Sequence, residues 1–344
     1  MKKILTTAIL CAGLVGFTAC DSFLDEDPKS SLTLDTYYKT SADIIGNVNY
    51  LYRDGAPDKM GNMTGAYRGS SLSVMNMVTG YFVNEYEGQE VDCSYARQLT
   101  RQDFTQSCCN YLTNDTWKSC YKSINVANAV IKYVDGVEMD NQAQYKAEAR
   151  FFRALNYFYL VKMFGDVPMV TEHATLVEYP TRTAASEVFN TVIIPDLQFA
   201  VENLPNATFA GNSHRVTKYA ADMLLADVYM RLGEYANAVT PLKDVINSGK
   251  FALATNDNLA EGSAFNKLRT TDDLPEVIYA REYDAAISPN GNIPVHAFNL
   301  ISPTFFANSS TGNKYSLWVN VYGVSERYLN VYGEKDLRAQ MNQF

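Results

Sequence analysis

Residues 218–247 read KYAADMLLADVYMRLGEYANAVTPLKDVIN. Apolar positions recur three and four apart, which predicts a helix from Lys218 to Leu232, a tight Gly233-Glu234 turn and a second helix from Tyr235 to Asn247, ended by Gly249. Ala226, Tyr229, Gly233, Tyr235, Ala236 and Ala238 sit where small residues are expected for helix contact and an aromatic for the turn. Working toward the amino terminus, a further helix starts behind Ser186-Glu187 and runs to about Asn203 despite Pro195, before Leu204-Pro205. The segment from Asn141 to Phe164 spaces Ala147, Arg150, Ala154, Tyr157, Phe158 and Val161 for packing and stops at Gly165-Asp166-Val167-Pro168. Trp117, Tyr121, Ile124, Ala127 and Ile131 share one helical face ahead of Gly136, and Ile44, Ile45, Val48 and Leu51 do so within a helix over about 41–55.

The helix pair at 218–247 looks like a tetratricopeptide unit. Its Ala-x-x-Tyr step at Ala226/Tyr229 recurs at Ala154/Tyr157, about two units of a 34-residue repeat away. The fold expected is therefore mostly α: tetratricopeptide-like helix-pair repeats forming a right-handed superhelical scaffold over 41–250. An irregular insertion, rich in Gly, Asn and Ser at its start, occupies about 55–111. Beyond 250 the pattern loosens into short apolar runs such as Glu276-Val277-Ile278-Tyr279-Ala280, interrupted by Pro289, Pro294 and Pro303, so 251–344 reads as a loop-rich, ligand-side region.

The amino terminus carries a different message. Lys2 and Lys3 precede an uncharged stretch from Ile4 to Phe17, and small residues at Thr18 and Ala19 lead to Cys20. This is the order of a secretion signal, residues 1–19, with a stretch short of the roughly 20 apolar residues that span a bilayer. Phe17-Thr18-Ala19-Cys20 resembles a lipobox, so Cys20 is expected to carry the lipid that anchors the chain to a membrane, and 20–40 to act as an extended tether. Asp21, Asp25, Glu26 and Asp27 follow closely, and they leave the leaflet open.

Composition narrows the partners. With 344 residues and 47% hydrophobic content the chain can bury a large core. Its net charge of −9, without a Lys/Arg-rich run, lacks the footprint of nucleic-acid binding. Cys93, Cys108, Cys109 and Cys120 remain outside the signal and the lipidated position, and four cysteines allow three disulfide connectivities. None forms a CxxC pair, and His173, His214 and His296 stand at no ligand spacing from one another, so neither a metal site nor a cofactor is expected. The sequence holds no GxSxG, HExxH, P-loop or GxGxxG pattern, and the scarcity of histidine removes most acid/base arrangements; the expectation is a protein that is not an enzyme. The 24 tyrosines offer apolar faces with polar tips, suited to packing between helices and to sugar rings alike.

Taken in order, several motifs resemble the SusD/RagB-like family of surface lipoproteins. They are Phe23-Leu24-Asp25-Glu26-Asp27-Pro28; Trp117-x-x-x-Tyr121-x-x-Ile124-Asn125-x-x-Asn128; Ala147-Glu148-Ala149-Arg150-Phe151-Phe152-Arg153-Ala154 with Tyr157-Phe158-x-Leu160 and Phe164-Gly165-Asp166-Val167-Pro168; Arg182-Thr183; Ile193-x-x-Asp196-Leu197 with Leu204-Pro205; Arg215-Val216-Thr217-Lys218; and Asp336-Leu337-Arg338. Glu148, Arg153, Asp196 and Arg182 in these motifs are expected to make charge-assisted contacts that fix helix packing rather than to do chemistry. The resemblance implies a glycan-capturing lipoprotein in the outer membrane, facing the cell surface, that serves as a lid on a SusC-like TonB-dependent transporter. A peptide-binding lid, or a scaffold without ligand, are the alternatives. Candidate stacking residues come from the irregular stretches: Trp318 first, then Tyr315, Tyr81 and Tyr86, with Asn84, Glu85, Asn313 and Asn320 as polar partners. Members of the family are longer, and this chain ends six residues after Arg338, so a shortened chain lacking part of the binding surface is expected.

Overall fold

The computed structural model describes residues 34–55, 78–83, 98, 100–102, 109–173, 180–258, 262–282, 323–333 and 336. Among them the order is α1 (Leu34–Tyr37), α2 (Ser41–Asp54), β1 (Phe82–Val83), α3 (Cys109–Tyr133), α4 (Gln142–Phe164), α5 (Ala185–Val188), a π-helical turn (Phe189–Ile193), α6 (Ile194–Asn203), α7 (Lys218–Arg231), α8 (Tyr235–Asn247), α9 (Ala264–Thr270), β2 (Gly323–Val324) and α10 (Glu326–Leu329), with short 3-10 turns at Val134–Gly136 and Ala210–Asn212. The protein is mostly helical.

The helices pack as neighbours in sequence: α2 on α3 and α4, α3 on α4, α4 on α6, α6 on α7 and α7 on α8. Helices α2, α3 and α4 bury apolar residues on or beside the faces that their spacing predicts. Ile44, Val48 and Leu51 of α2 are fully buried, as are Cys120, Ile124, Ala127 and Val130 of α3. Helix α4 sits at the centre, so Ala147, Phe152, Ala154, Tyr157, Phe158 and Leu160 are buried around much of its circumference. It ends at Gly165, whose φ of 70° is open to a residue without a Cβ.

Helical winding continues through Pro195 by a device that the sequence did not announce. Proline lacks an N–H, and its ring crowds the preceding turn. The five-residue π turn at Phe189–Ile193 widens the coil just ahead of it, with Ile194 N–H donating to the Phe189 carbonyl.

Three expectations are corrected. The first repeat helix begins at Cys109 rather than near Trp117, which cuts into the stretch read as irregular to 111. Residues 34–40 are folded rather than an extended tether: α1 leads to Tyr38, which is 6% exposed and stacks on Tyr133 at 5.0 Å. In α8 it is Ala238, Pro241 and Val245 that are buried, whereas Ala236, expected at the helix contact, is exposed on the outer side of the pair. The tight turn itself is as expected, with Gly233 at φ 76°.

Buried charges lock the scaffold, with partners that differ in part from those expected. Arg153 on α4 holds Asp196 on α6 through both carboxylate oxygens (Nε–Oδ2 2.7 Å, Nη2–Oδ1 2.8 Å) and donates from Nη1 to Asn128 Oδ1 of α3 at 2.8 Å. Asn128 in turn donates to the carbonyls of Val170 and Glu172, both at 3.0 Å, so one cluster ties three helices to the segment after α4. Burial raises the Asp196 carboxyl against the opposing pull of Arg153 and Arg150. Glu148 does not meet Arg153; it is held by Arg215, which precedes α7, at 2.5 and 3.1 Å. Arg182 instead donates to the Asp166 carbonyl at 2.5 Å and lies over the Trp117 ring.

No helix among the described residues is long and apolar enough to cross a membrane.

Candidate functional site

Two stretches remote in sequence meet in the two-residue antiparallel pair of β1 and β2, where Phe82 faces Val324 and Val83 faces Gly323. The chain needs Gly80 to enter this pair, because φ there is 75°. Ser325 then does double duty at the start of α10. Its hydroxyl donates to the Gly80 carbonyl at 2.9 Å and accepts from Tyr328 N–H at 3.2 Å, while its own N–H donates to the Tyr81 carbonyl at 2.9 Å. One serine thus caps a short helix and fastens it to the 78–83 turn.

These bonds gather a cluster of tyrosines. Tyr81 meets Tyr328 edge-on at 6.2 Å between centroids, and Tyr328 meets Tyr332 edge-on at 5.5 Å. The Tyr332 hydroxyl donates to that of Tyr328 at 2.8 Å, and the Arg327 guanidinium lies 5.1 Å from the centre of the Tyr81 ring. The rings of Tyr81, Tyr328 and Tyr332 are half-buried and Arg327 is exposed. Rings held edge to face present both apolar surface and phenol oxygens to solvent, and a cation on one face fixes the orientation of Tyr81. Such a surface can take a pyranose ring against its faces and hydrogen-bond hydroxyls at its rim; nothing in it is a nucleophile with a base beside it.

Of the residues expected to bind ligand, Tyr81 is in this cluster. Trp318, Tyr315, Tyr86, Asn84, Glu85, Asn313 and Asn320 lie outside the described residues, as do Cys20, Cys93 and Cys108. The positions are nevertheless informative: 84–86 follow β1 directly and 313–320 precede β2, so the strand pair borders both stretches from which the candidates come. Sequence reading missed Arg327, Tyr328 and Tyr332. The signal was there in the four-residue step from Tyr328 to Tyr332, but only the pairing with 78–83 reveals its partner. Elsewhere tyrosines serve the core: burial pushes the Tyr157 phenol up to about 12, and its hydroxyl bridges to both backbone groups of Val170.

Comparison with known proteins matches residues 22–230 to a family described as starch-binding, associating with the outer membrane. SusD-like protein P2 of Formosa agariphila is 28% identical over 298 residues, covering 85% of this chain and 55% of that protein. A SusD-like protein of Bacteroides ovatus is 28% identical over 281 residues, covering 79% and 46%. The chain spans about half the length of the curated relatives it matches. Among solved structures, surface glycan-binding protein A from Bacteroides thetaiotaomicron, in complex with laminarihexaose, is similar with a TM-score of 0.67 at 18% identity, over 88% of this chain and 63% of that one. A SusD superfamily protein from Parabacteroides distasonis gives a TM-score of 0.65 at 21% identity over 90% and 62%.

Proposed function

The chain belongs to the SusD-like family, and on that premise we propose that it is a non-catalytic, lipid-anchored outer-membrane protein that captures an oligosaccharide and passes it to a SusC-like TonB-dependent transporter. The observation that carries this reading is the half-buried tyrosine cluster of Tyr81, Tyr328 and Tyr332, fastened by backbone bonds outside the helical scaffold. Aromatic faces recognise sugars by covering their C–H surfaces while rim hydroxyls and amides take the polar edge, and such recognition asks for no reactive group. Trp318, Tyr315 and Tyr86, with Asn84, Glu85, Asn313 and Asn320, complete the proposed surface from the stretches that border the strand pair. Cys20 is the proposed acylation site.

Affinity electrophoresis against laminarin, starch and other soluble polysaccharides tests this reading. One glycan should retard the protein, and Tyr328→Ala or Trp318→Ala should weaken its binding by about tenfold, equivalent to ~1.4 kcal/mol. Unchanged retardation in both variants, or release of new reducing ends by the native protein, would refute it. Mass spectrometry of the membrane-bound protein should find residue 20 acylated, and the transporter should co-purify.

A further inference from the structure

The sequence offers no histidine at ligand spacing from another, yet the fold brings His214 between Asp273 and Glu282 from a distant segment. We propose that these three side chains form a divalent transition-metal site that clamps the 271–282 segment onto the turn before α7. Asp273 Oδ1 lies 3.2 Å from His214 Nε2, and Glu282 Oε1 contacts Nδ1 more closely still. One donor atom from each residue can be chosen so that all lie within 4.8 Å of one another.

The two contacts favour a positive charge at the ring, which either a second imidazole proton or a bound metal ion supplies. A neutral imidazole carries a single N–H, so only one of its two carboxylate contacts can be a hydrogen bond; the other sets a nitrogen lone pair against a carboxylate oxygen. The two acids also confront each other across the ring. An ion replacing that proton on one ring nitrogen would draw in both carboxylates, whose donor atoms can lie within 4.8 Å of that nitrogen and of each other. One imidazole with two carboxylates is a donor set between those of hard oxygen sites and soft thiolate sites, which favours Zn²⁺ over Mg²⁺ or Ca²⁺.

The ligands are already held. His214 sits at φ 60°, stacks on Phe209 at 5.0 Å and donates its backbone N–H to the Phe209 carbonyl at 3.0 Å. Asp273 is at φ 58°. An open hollow lined by Phe209, Lys250, Phe251, Asp273 and Pro275 adjoins the Asp273 side of the cluster. On the far side, Tyr279 packs edge-on against both Phe209 and Phe151, so a clamp at 214 would draw the loop segment toward the scaffold core.

Titration calorimetry of the chelator-stripped chain with Zn²⁺ tests the proposal, with Mg²⁺ and Ca²⁺ as controls. One Zn²⁺ should bind per chain and raise the thermal midpoint, with the controls binding far more weakly. Asp273→Asn and Glu282→Gln, which keep the shape of the cluster, should each weaken Zn²⁺ by more than the roughly 10- to 100-fold that loss of an outer-shell partner costs. His214→Ala should abolish it, while His173→Ala and His296→Ala leave it unchanged. Absence of Zn²⁺ binding, binding that survives Asp273→Asn and Glu282→Gln, or binding that is lost with His173 or His296 would overturn the assignment.

Discussion

The helical scaffold and the tyrosine cluster use the same residue types to opposite ends. In the scaffold Tyr157 is fully buried, its hydroxyl consumed by the backbone of Val170, and Arg153 spends its guanidinium on Asp196 and Asn128. Beside the strand pair, Tyr81, Tyr328 and Tyr332 stay half-buried, and Arg327 lies over a ring with its charge toward water. The scaffold's polar groups are bonded inward in several directions, whereas the cluster is joined to the 78–83 turn through Ser325, whose N–H donates to the Tyr81 carbonyl and whose hydroxyl donates to the Gly80 carbonyl.

This contrast is broken most forcefully at Arg153. Removing it leaves the buried Asp196 without its bidentate partner and with only Arg150, 3.6 Å away, opposite it, and breaking a buried pair costs about 3–5 kcal/mol. Arg153→Ala should therefore lower the chemical-denaturation stability by about that amount. Arg153→Met with Asp196→Leu should recover much of it, because the charge that needed compensation is gone too. Neither change should alter glycan affinity in the folded protein. A loss of affinity in the double variant would mean that the scaffold and the cluster are coupled, and the division drawn here would fail.

How much of this was legible in advance follows the range of the interactions. Helices α2, α4, α7 and α8 were readable to within about a residue or two at their ends, because apolar spacing and glycine stops act within one turn. The start of α3 was not: Cys109 to Thr116 lack the clean period that marks Trp117 onward, and sequence gave no reason to extend the helix through them. Glu148 and Arg153 were identifiable as packing charges and Asp196 was named beside them, but the partner of Glu148, Arg215, lies 67 residues away and was not. The same limit governs the candidate site. Tyr81 could be named from its irregular surroundings, while Tyr328 and Arg327 acquire meaning only through a strand pair of two residues on each side, too short to leave an alternating pattern.

Glycines at positive φ give a sharper and gentler comparison. Gly233 turns α7 into α8 at φ 76°, and Gly80 enters β1 at φ 75°. A Cβ at Gly233 would meet nothing within 4 Å, and one at Gly80 would make only ordinary contact with Arg327 Nη1 at 3.5 Å, so alanine at either site is opposed by backbone conformation alone. That opposition is worth about 1–2 kcal/mol. Gly233→Ala should lower the global unfolding free energy by about that much and leave glycan affinity alone. Gly80→Ala should do the reverse, weakening binding several-fold with little change in the main unfolding transition, since its strain falls on the turn that carries Tyr81. Identical effects of the two substitutions on global stability would show that the 78–83 turn unfolds together with the scaffold.

The smallest expected effect lies at the entry to the scaffold, and its pH dependence identifies its origin. Thr40 caps α2 by accepting from the Asp43 N–H, while the Asp43 carboxylate accepts from the Thr40 N–H at 2.8 Å and from its hydroxyl at 2.7 Å. The hydrogen bonds from Thr40 hold the Asp43 carboxyl below its ordinary value of 3.8. A carboxylate depressed on folding contributes stability that is present above its unfolded value and is lost as pH falls through the lower, folded one. Thr40→Ala should cost about 1 kcal/mol at neutral pH, as other N-cap removals do. The gap between wild type and variant should then narrow as the pH falls below 3.8, where protonation of Asp43 takes away the reciprocal half of the box in the native protein. A gap that stays constant down to the acid limit of folding would mean that the Thr40 hydroxyl caps α2 alone, with Asp43 contributing no more than any other acid near a helix start.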